Sequence, residues 1–120
     1  MFSVCVTGEF VAKHAVTIQG VDETPHSHTW RVEIVIEGET LDDDGLLIDF
    51  IEVEKQLDII LAPLANADLN AIDTFGGDNP STERVAVYVG DAMATQITGR
   101  VRVQSVIITE APNCKATYTL

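Results

Sequence analysis

Basic side chains are the scarcest class in this chain. Its 120 residues hold seven Lys and Arg against nineteen Asp and Glu, a formal charge of −12. A nucleic-acid surface is excluded, because phosphate neutralisation needs clustered Lys and Arg, and here only Arg100 and Arg102 lie close together. Attachment to an anionic membrane surface fails for the same reason. The acidity fits either a solvated surface or a salt-rich cytoplasm, and the sequence leaves both open. Cysteine is nearly absent: Cys5 and Cys114 stand alone, with no CxxC pair. That excludes a disulfide framework and fits a reduced, cytoplasmic setting. No apolar run approaches the ~20 residues of a membrane-crossing helix. The start, MFSVCVTGEF, has neither a basic segment nor a long apolar one, so no signal peptide is expected. P-loop, GxGxxG and GxSxG motifs are missing as well.

What is there is an ordinary globular composition, 46% hydrophobic and 22% charged, enough for one core in one domain over residues 1–120. Residues 2–14 alternate as a strand, with Phe2, Val4, Val6, Gly8, Phe10, Ala12 and His14 on one face. Residues 15–25 hold Gly20, Asp22 and Pro25 and read as a loop. The clearest strand is 26–38, where Trp30, Val32, Ile34 and Ile36 alternate with polar residues. Leu41-Asp42-Asp43-Asp44-Gly45 predicts a turn. Residues 50–62 predict a helix capped by Asp49 and ended by Pro63, with Ile51, Val53, Leu57, Ile60 and Leu61 in its apolar stripe. Residues 64–80 read as irregular. A second helix is expected from Pro80-Ser81-Thr82-Glu83 to about Ile97, with Gly99 stopping it. Residues 100–110 alternate again, and 115–120 read as a last strand. The order β-β-α-α-β-β, with no βαβ repeat, predicts an α+β fold around an antiparallel sheet.

Histidine is where chemistry concentrates. His26 and His28 are two apart at the start of a strand, so both point to the face of Trp30 and Val32. His14 shares the inward parity of Phe10 and Ala12, and a hairpin brings it back towards the pair. Three imidazoles on one face suit zinc, with a fourth position open to water or substrate; the other reading is three unrelated histidines. Asp22 and Glu23 precede His26 and read as a general base or supporting carboxylate, or as a solvated loop pair. Glu110 has the parity of Val106 and Ile108. An inward Glu needs a partner, which a ligand with several N–H donors would supply; otherwise it is a rim charge. Ser81 and Thr82 read as a helix cap. Cys114 has no base nearby in sequence and reads as an inert thiol.

Phe10-x-Ala12-x-His14, His26-x-His28, Gly45-Leu46-Leu47-x-Asp49-Phe50, Leu64 to Leu69-Asn70, Asn79-Pro80-Ser81-Thr82-Glu83, Glu110 and Tyr118 follow one familiar order. Together they resemble the 6-pyruvoyl-tetrahydropterin synthase family, which includes the bacterial 6-carboxytetrahydropterin synthases. The likeness runs from about Phe10 to Tyr118. It implies the T-fold, a four-stranded antiparallel sheet with two helices on one face. It implies a homohexamer built as a dimer of trimers, with active sites between subunits. It also implies zinc on His14, His26 and His28, and a pterin-like ligand whose ring is anchored by Glu110. The family's usual catalytic Cys, four residues before the first His of the pair, is Asp22 here. A variant branch uses Glu instead and cleaves the side chain of dihydroneopterin triphosphate to give 6-hydroxymethyl-dihydropterin; Glu23 is the residue placed for that part. The family's Asp–His pair is missing from Leu64-Ala65-Asn66-Ala67-Asp68-Leu69-Asn70. Two readings follow: a zinc-dependent pterin side-chain lyase with altered chemistry, or a catalytically inactive pterin- or purine-binding protein. A structural oligomer with incidental histidines is the third.

Overall fold

One long hairpin sets the frame. In the computed structural model, which describes residues 1–120, β1 (Phe2–His14) runs antiparallel to β4 (His26–Gly38) along its whole length. Inward residues face one another across it: Phe10 opposite Trp30, Val6 opposite Ile34, His14 opposite His26. The sheet continues through β5 (Val101–Ala111) and β6 (Cys114–Thr119), giving the order β1-β4-β5-β6 with every pair antiparallel. Helices α1 (Phe50–Leu61) and α2 (Thr82–Gln96) lie on it, α1 against β1 and α2 against β5 and β6. Trp30, Val32, Ile34, Val106 and Ile108 are buried beneath Val53, Leu57, Val85, Val89 and Met93. Glycine permits the close approach at two points. A methyl group on Gly8 would stand 2.8 Å from Leu57, and one on Gly90 would stand 2.7 Å from the Tyr118 ring. No helix is long and apolar enough to cross a membrane.

Both helix starts follow their sequence signals. Asp49 Oδ1 accepts from the Ile51 N–H at 2.9 Å, and Ser81 Oγ accepts from the Arg84 N–H at 3.2 Å. Ile51, expected in the buried stripe of α1, is instead 62% exposed. At about 100° per residue it sits roughly 200° from Val53, on the far side of the helix.

The strict alternation expected over 100–110 is also corrected. The β4–β5 register shifts so that Val35 faces Ser105 while Ile36 faces Val103, leaving Gln104 as an extra residue. This bulge switches the inward parity from Val101 and Val103 to Val106 and Ile108. Glu110 follows the second parity, so the bulge aims it at the helix-covered side.

Two segments read as loop and irregular carry structure. Residues 15–25 contain a ribbon, β2 (Thr17–Ile18) paired with β3 (Val21–Asp22), turning at Gln19-Gly20, where both φ values are positive. Residues 64–69 dock along β1: Lys13 N–H donates to Ala67 O, and Leu69 N–H donates to Lys13 O. They cover the edge of β1 next to His14 and bury Leu64 and Leu69.

Candidate functional site

The imidazoles meet because of strand register. His14 ends β1 directly opposite His26, and His28 lies opposite Ala12, two residues along the same face. Glu110, one residue beyond the Thr109–Arg31 pair of β5 and β4, reaches the same place. Trp30 forms part of the floor, its ring edge-on to His14 and His28 and its indole N–H bonded to Ala12 O. One ligand atom from each of His14, His26, His28 and Glu110 lies within 4.8 Å of the others. His14 Nε2 is 2.5 Å from Glu110 Oε1 and 3.1 Å from His26 Nε2, and His28 Nε2 is 3.7 Å from Glu110 Oε1.

The outer ring nitrogens define the inner ones. His14 Nδ1–H donates to Pro80 O at 2.8 Å, and His26 Nδ1–H donates to Thr24 O at 2.9 Å. A carbonyl only accepts, so in neutral rings both Nε2 atoms present lone pairs to one another and to the Glu110 carboxylate. Such a convergence is repulsive without a cation at its centre. The donor set therefore fits a divalent metal, with carbonyls orienting the ligands from behind. Desolvation holds His28 below the ordinary imidazole value, against the opposing pull of Glu110. A ring kept neutral is the form that ligates.

Glu23 comes in from the ribbon. Its Oε1 accepts from Val16 N–H at 2.9 Å and stands 3.8 Å from His26 Nε2. Its own N–H bonds to Val16 O. Asp22 turns away, accepting from Thr17 Oγ1 at 2.6 Å. The ribbon thus separates two adjacent carboxylates that the sequence leaves equivalent. Asp68 is not brought to the imidazoles: it pairs with Lys13 at 3.7 Å on the opposite parity of β1. A cavity of about 420 Å³ opens over the cluster, with His14, His26, Glu23, Glu83 and Glu110 in its wall beside Ser81 and Thr82 at the start of α2.

Two positioning residues have no role in the sequence reading. Asn70 accepts from Ala15 N–H and donates to Ala15 O, both at 2.8 Å. Asn79 does the same to Thr17, at 2.8 and 2.9 Å. Each side-chain amide pairs with one residue's backbone as a neighbouring strand would. Together they clamp the segment between His14 and Glu23. Two asparagines in motif positions are the only sequence signal, and their partners lie 55 and 62 residues away.

Comparison with known proteins gives one direction. A family model described as 6-pyruvoyl tetrahydropterin synthase matches residues 3–120. The dihydroneopterin monophosphate aldolase of Pyrococcus furiosus is 33% identical over 101 residues, covering 84% of this chain and 82% of that protein. The solved 6-pyruvoyl tetrahydropterin synthase of Caenorhabditis elegans superposes with a TM-score of 0.87 at 17% identity, over 99% of this chain and 95% of that one. A Plasmodium vivax synthase with alanine in place of a glutamate described as a catalytic residue superposes at 0.78, with 18% identity over 98% and 96% of the two chains. At these identities the two structures show the shared fold, the T-fold.

Proposed function

The chain belongs to the 6-pyruvoyl tetrahydropterin synthase family, and from that premise we propose that it is a zinc-dependent lyase cleaving the side chain of a pterin. The observation that carries this is the convergence of three imidazole Nε2 atoms, two of them in the wall of a cavity that a backbone-locked glutamate also lines. His14, His26 and His28 hold the metal. When bound, zinc polarises a side-chain oxygen of the substrate and lowers its proton affinity. Glu110 accepts from the N–H donors of the pterin ring and fixes its orientation. Glu23 takes the proton of a side-chain hydroxyl. As that O–H bond breaks, a carbonyl forms, the adjacent C–C bond breaks, and its electron pair passes into the dihydropterin ring system; a proton then returns to carbon. The Pyrococcus relative's name as an aldolase on a dihydroneopterin ester supports this reaction class. The glutamate described as catalytic in the Plasmodium vivax protein supports a carboxylate in the role.

Hexamer formation and a cytoplasmic location belong to the same proposal. The outer edge of β6 is free, and an apolar groove of about 570 Å³ lined by Phe2, Val4, Leu41, Leu46 and Phe50 supports burial against further copies. One observation favours the inactive pterin-binding reading: residues 64–70 bring no acid–base pair to the cavity, since Asp68 is held by Lys13.

The deciding experiment compares zinc-loaded wild type with Glu23→Gln on a dihydropterin bearing a hydroxylated side chain. Turnover is expected to fall by ~10²–10⁴-fold while ring binding stays within about twofold. An active variant ends the role of Glu23. Wild type that binds the ring without cleaving it establishes the inactive reading.

A further inference from the structure

Two of the imidazoles are tied to the ribbon from behind. His26 Nδ1–H donates to Thr24 O at 2.9 Å. The residue before Thr24 is Glu23, whose N–H donates to Val16 O and whose Oε1 accepts from Val16 N–H. His14 Nδ1–H donates to Pro80 O at 2.8 Å. The residue before Pro80 is Asn79, whose amide pairs with both backbone groups of Thr17. The outer nitrogen of each ring therefore ends on a carbonyl next to a residue that holds the ribbon. His26 reaches the β3 side through Thr24, and His14 reaches the β2 side through Pro80 and Asn79.

The ribbon needs such props. Its strands have two residues each, and a hairpin that short does not hold itself in water. Its turn sets Gln19 at a φ of 50°, a left-handed conformation that is costly for a residue with a Cβ. The two rings differ in freedom. His14 is buried against Trp30, whereas the His26 side chain is 36% exposed. A cation held by the Nε2 atoms pins both rings and so fixes the directions of their Nδ1–H groups. Without one, the Nε2 lone pairs of His14 and His26, 3.1 Å apart, repel, and the exposed ring is the one free to turn. A turned His26 gives up the carbonyl beside Glu23.

We infer that metal occupancy positions the proposed base. His14 and His26 ligate with their inner nitrogens and prop the ribbon with their outer ones, so the ribbon tightens around Glu23 when the imidazoles hold a metal and loosens when they do not. The inference rests on the metal and base assignments of the reading above. It adds that the carbonyls of Thr24 and Pro80 are the link between them.

The test is hydrogen exchange by mass spectrometry on the full-length protein without substrate, zinc-loaded and after removal of zinc with a chelator. Metal content and cleavage of a dihydropterin are measured alongside. Exchange of residues 15–25 is expected to slow about five- to tenfold with zinc. The turn at 42–46, at the other end of the sheet, should exchange alike in both forms. Asn79→Ala should keep one zinc per chain, lose the slowing in 15–18 and retain it in 21–25. Undiminished slowing in that variant overturns the arm through Pro80. Equal exchange of 15–25 in the two wild-type forms, at one zinc per loaded chain, overturns the inference and leaves the lyase reading standing. Slowing by zinc without cleavage upholds the inference and overturns the lyase reading. A protein that takes up no zinc overturns both.

Discussion

The site has two halves built on different principles. His14, His26, His28 and Glu110 stand on strands of one sheet, where side-chain direction alternates and register sets the distances. Glu23 stands on a ribbon with two residues in each strand, placed by a bond to Val16 and by the amides of Asn70 and Asn79. The strand half rests on a buried core and resists displacement. The ribbon half rests on hydrogen bonds that are partly solvated, so its position is the easier one to shift. The proposed binding groups thus sit on the strand half and the proposed proton-transfer group on the ribbon half.

The sharpest way to break the comparison is His14→Ala. The buried ring is the common neighbour of His26, His28 and Glu110, and its loss also strands the Pro80 carbonyl. Zinc affinity is expected to fall by more than ~100-fold, read as metal per chain by mass spectrometry. Retention of one metal per chain would show that the imidazoles are not the ligands.

Glu110→Ala comes next. Ring affinity should fall about 10- to 100-fold with zinc retained, since the role proposed for this carboxylate is to accept from the ring rather than to complete the metal site. Loss of zinc instead would make Glu110 a fourth ligand. Asn79→Ala tests the ribbon half alone. Turnover should drop about tenfold as the clamp on Thr17 opens, with metal content unchanged and the pH profile of kcat altered through Glu23. Unaltered kinetics would remove Asn79 from the positioning scheme. The smallest effect belongs to Asp68→Asn. It breaks only the exposed pair with Lys13, worth about 0–1 kcal/mol, so thermal stability and turnover should barely change. A large loss of turnover would mean that Asp68 reaches the reaction after all.

Much of the strand half is legible in the sequence. Alternation in 2–14 and 26–38 placed His14, His26 and His28 on the inward face, and the hairpin brought them together. Strand parity is a local property, so it survives without knowledge of the fold. Glu110 faces inward by a parity that holds only after the bulge at Gln104, which the alternation of 100–110 does not disclose. Ile51 departs from the expected stripe because it lies across the helix from the other four apolar residues, and composition alone does not separate them.

What the sequence determined by itself was the order of the four sheet strands and two α-helices, the two helix caps, the inward histidines and the lack of a cation-rich surface. Each depends on periodicity, on a residue and its near neighbours, or on counting charges. Tertiary structure alone decided that Glu23 rather than Asp22 faces the cavity, that Asp68 belongs to Lys13, and that Asn70 and Asn79 tie down the segment leading to the ribbon. Those outcomes depend on hydrogen-bond partners as far as 62 residues away in the chain. Such pairings form only when packing pays the entropy of closing the loop between them, so no local pattern announces them.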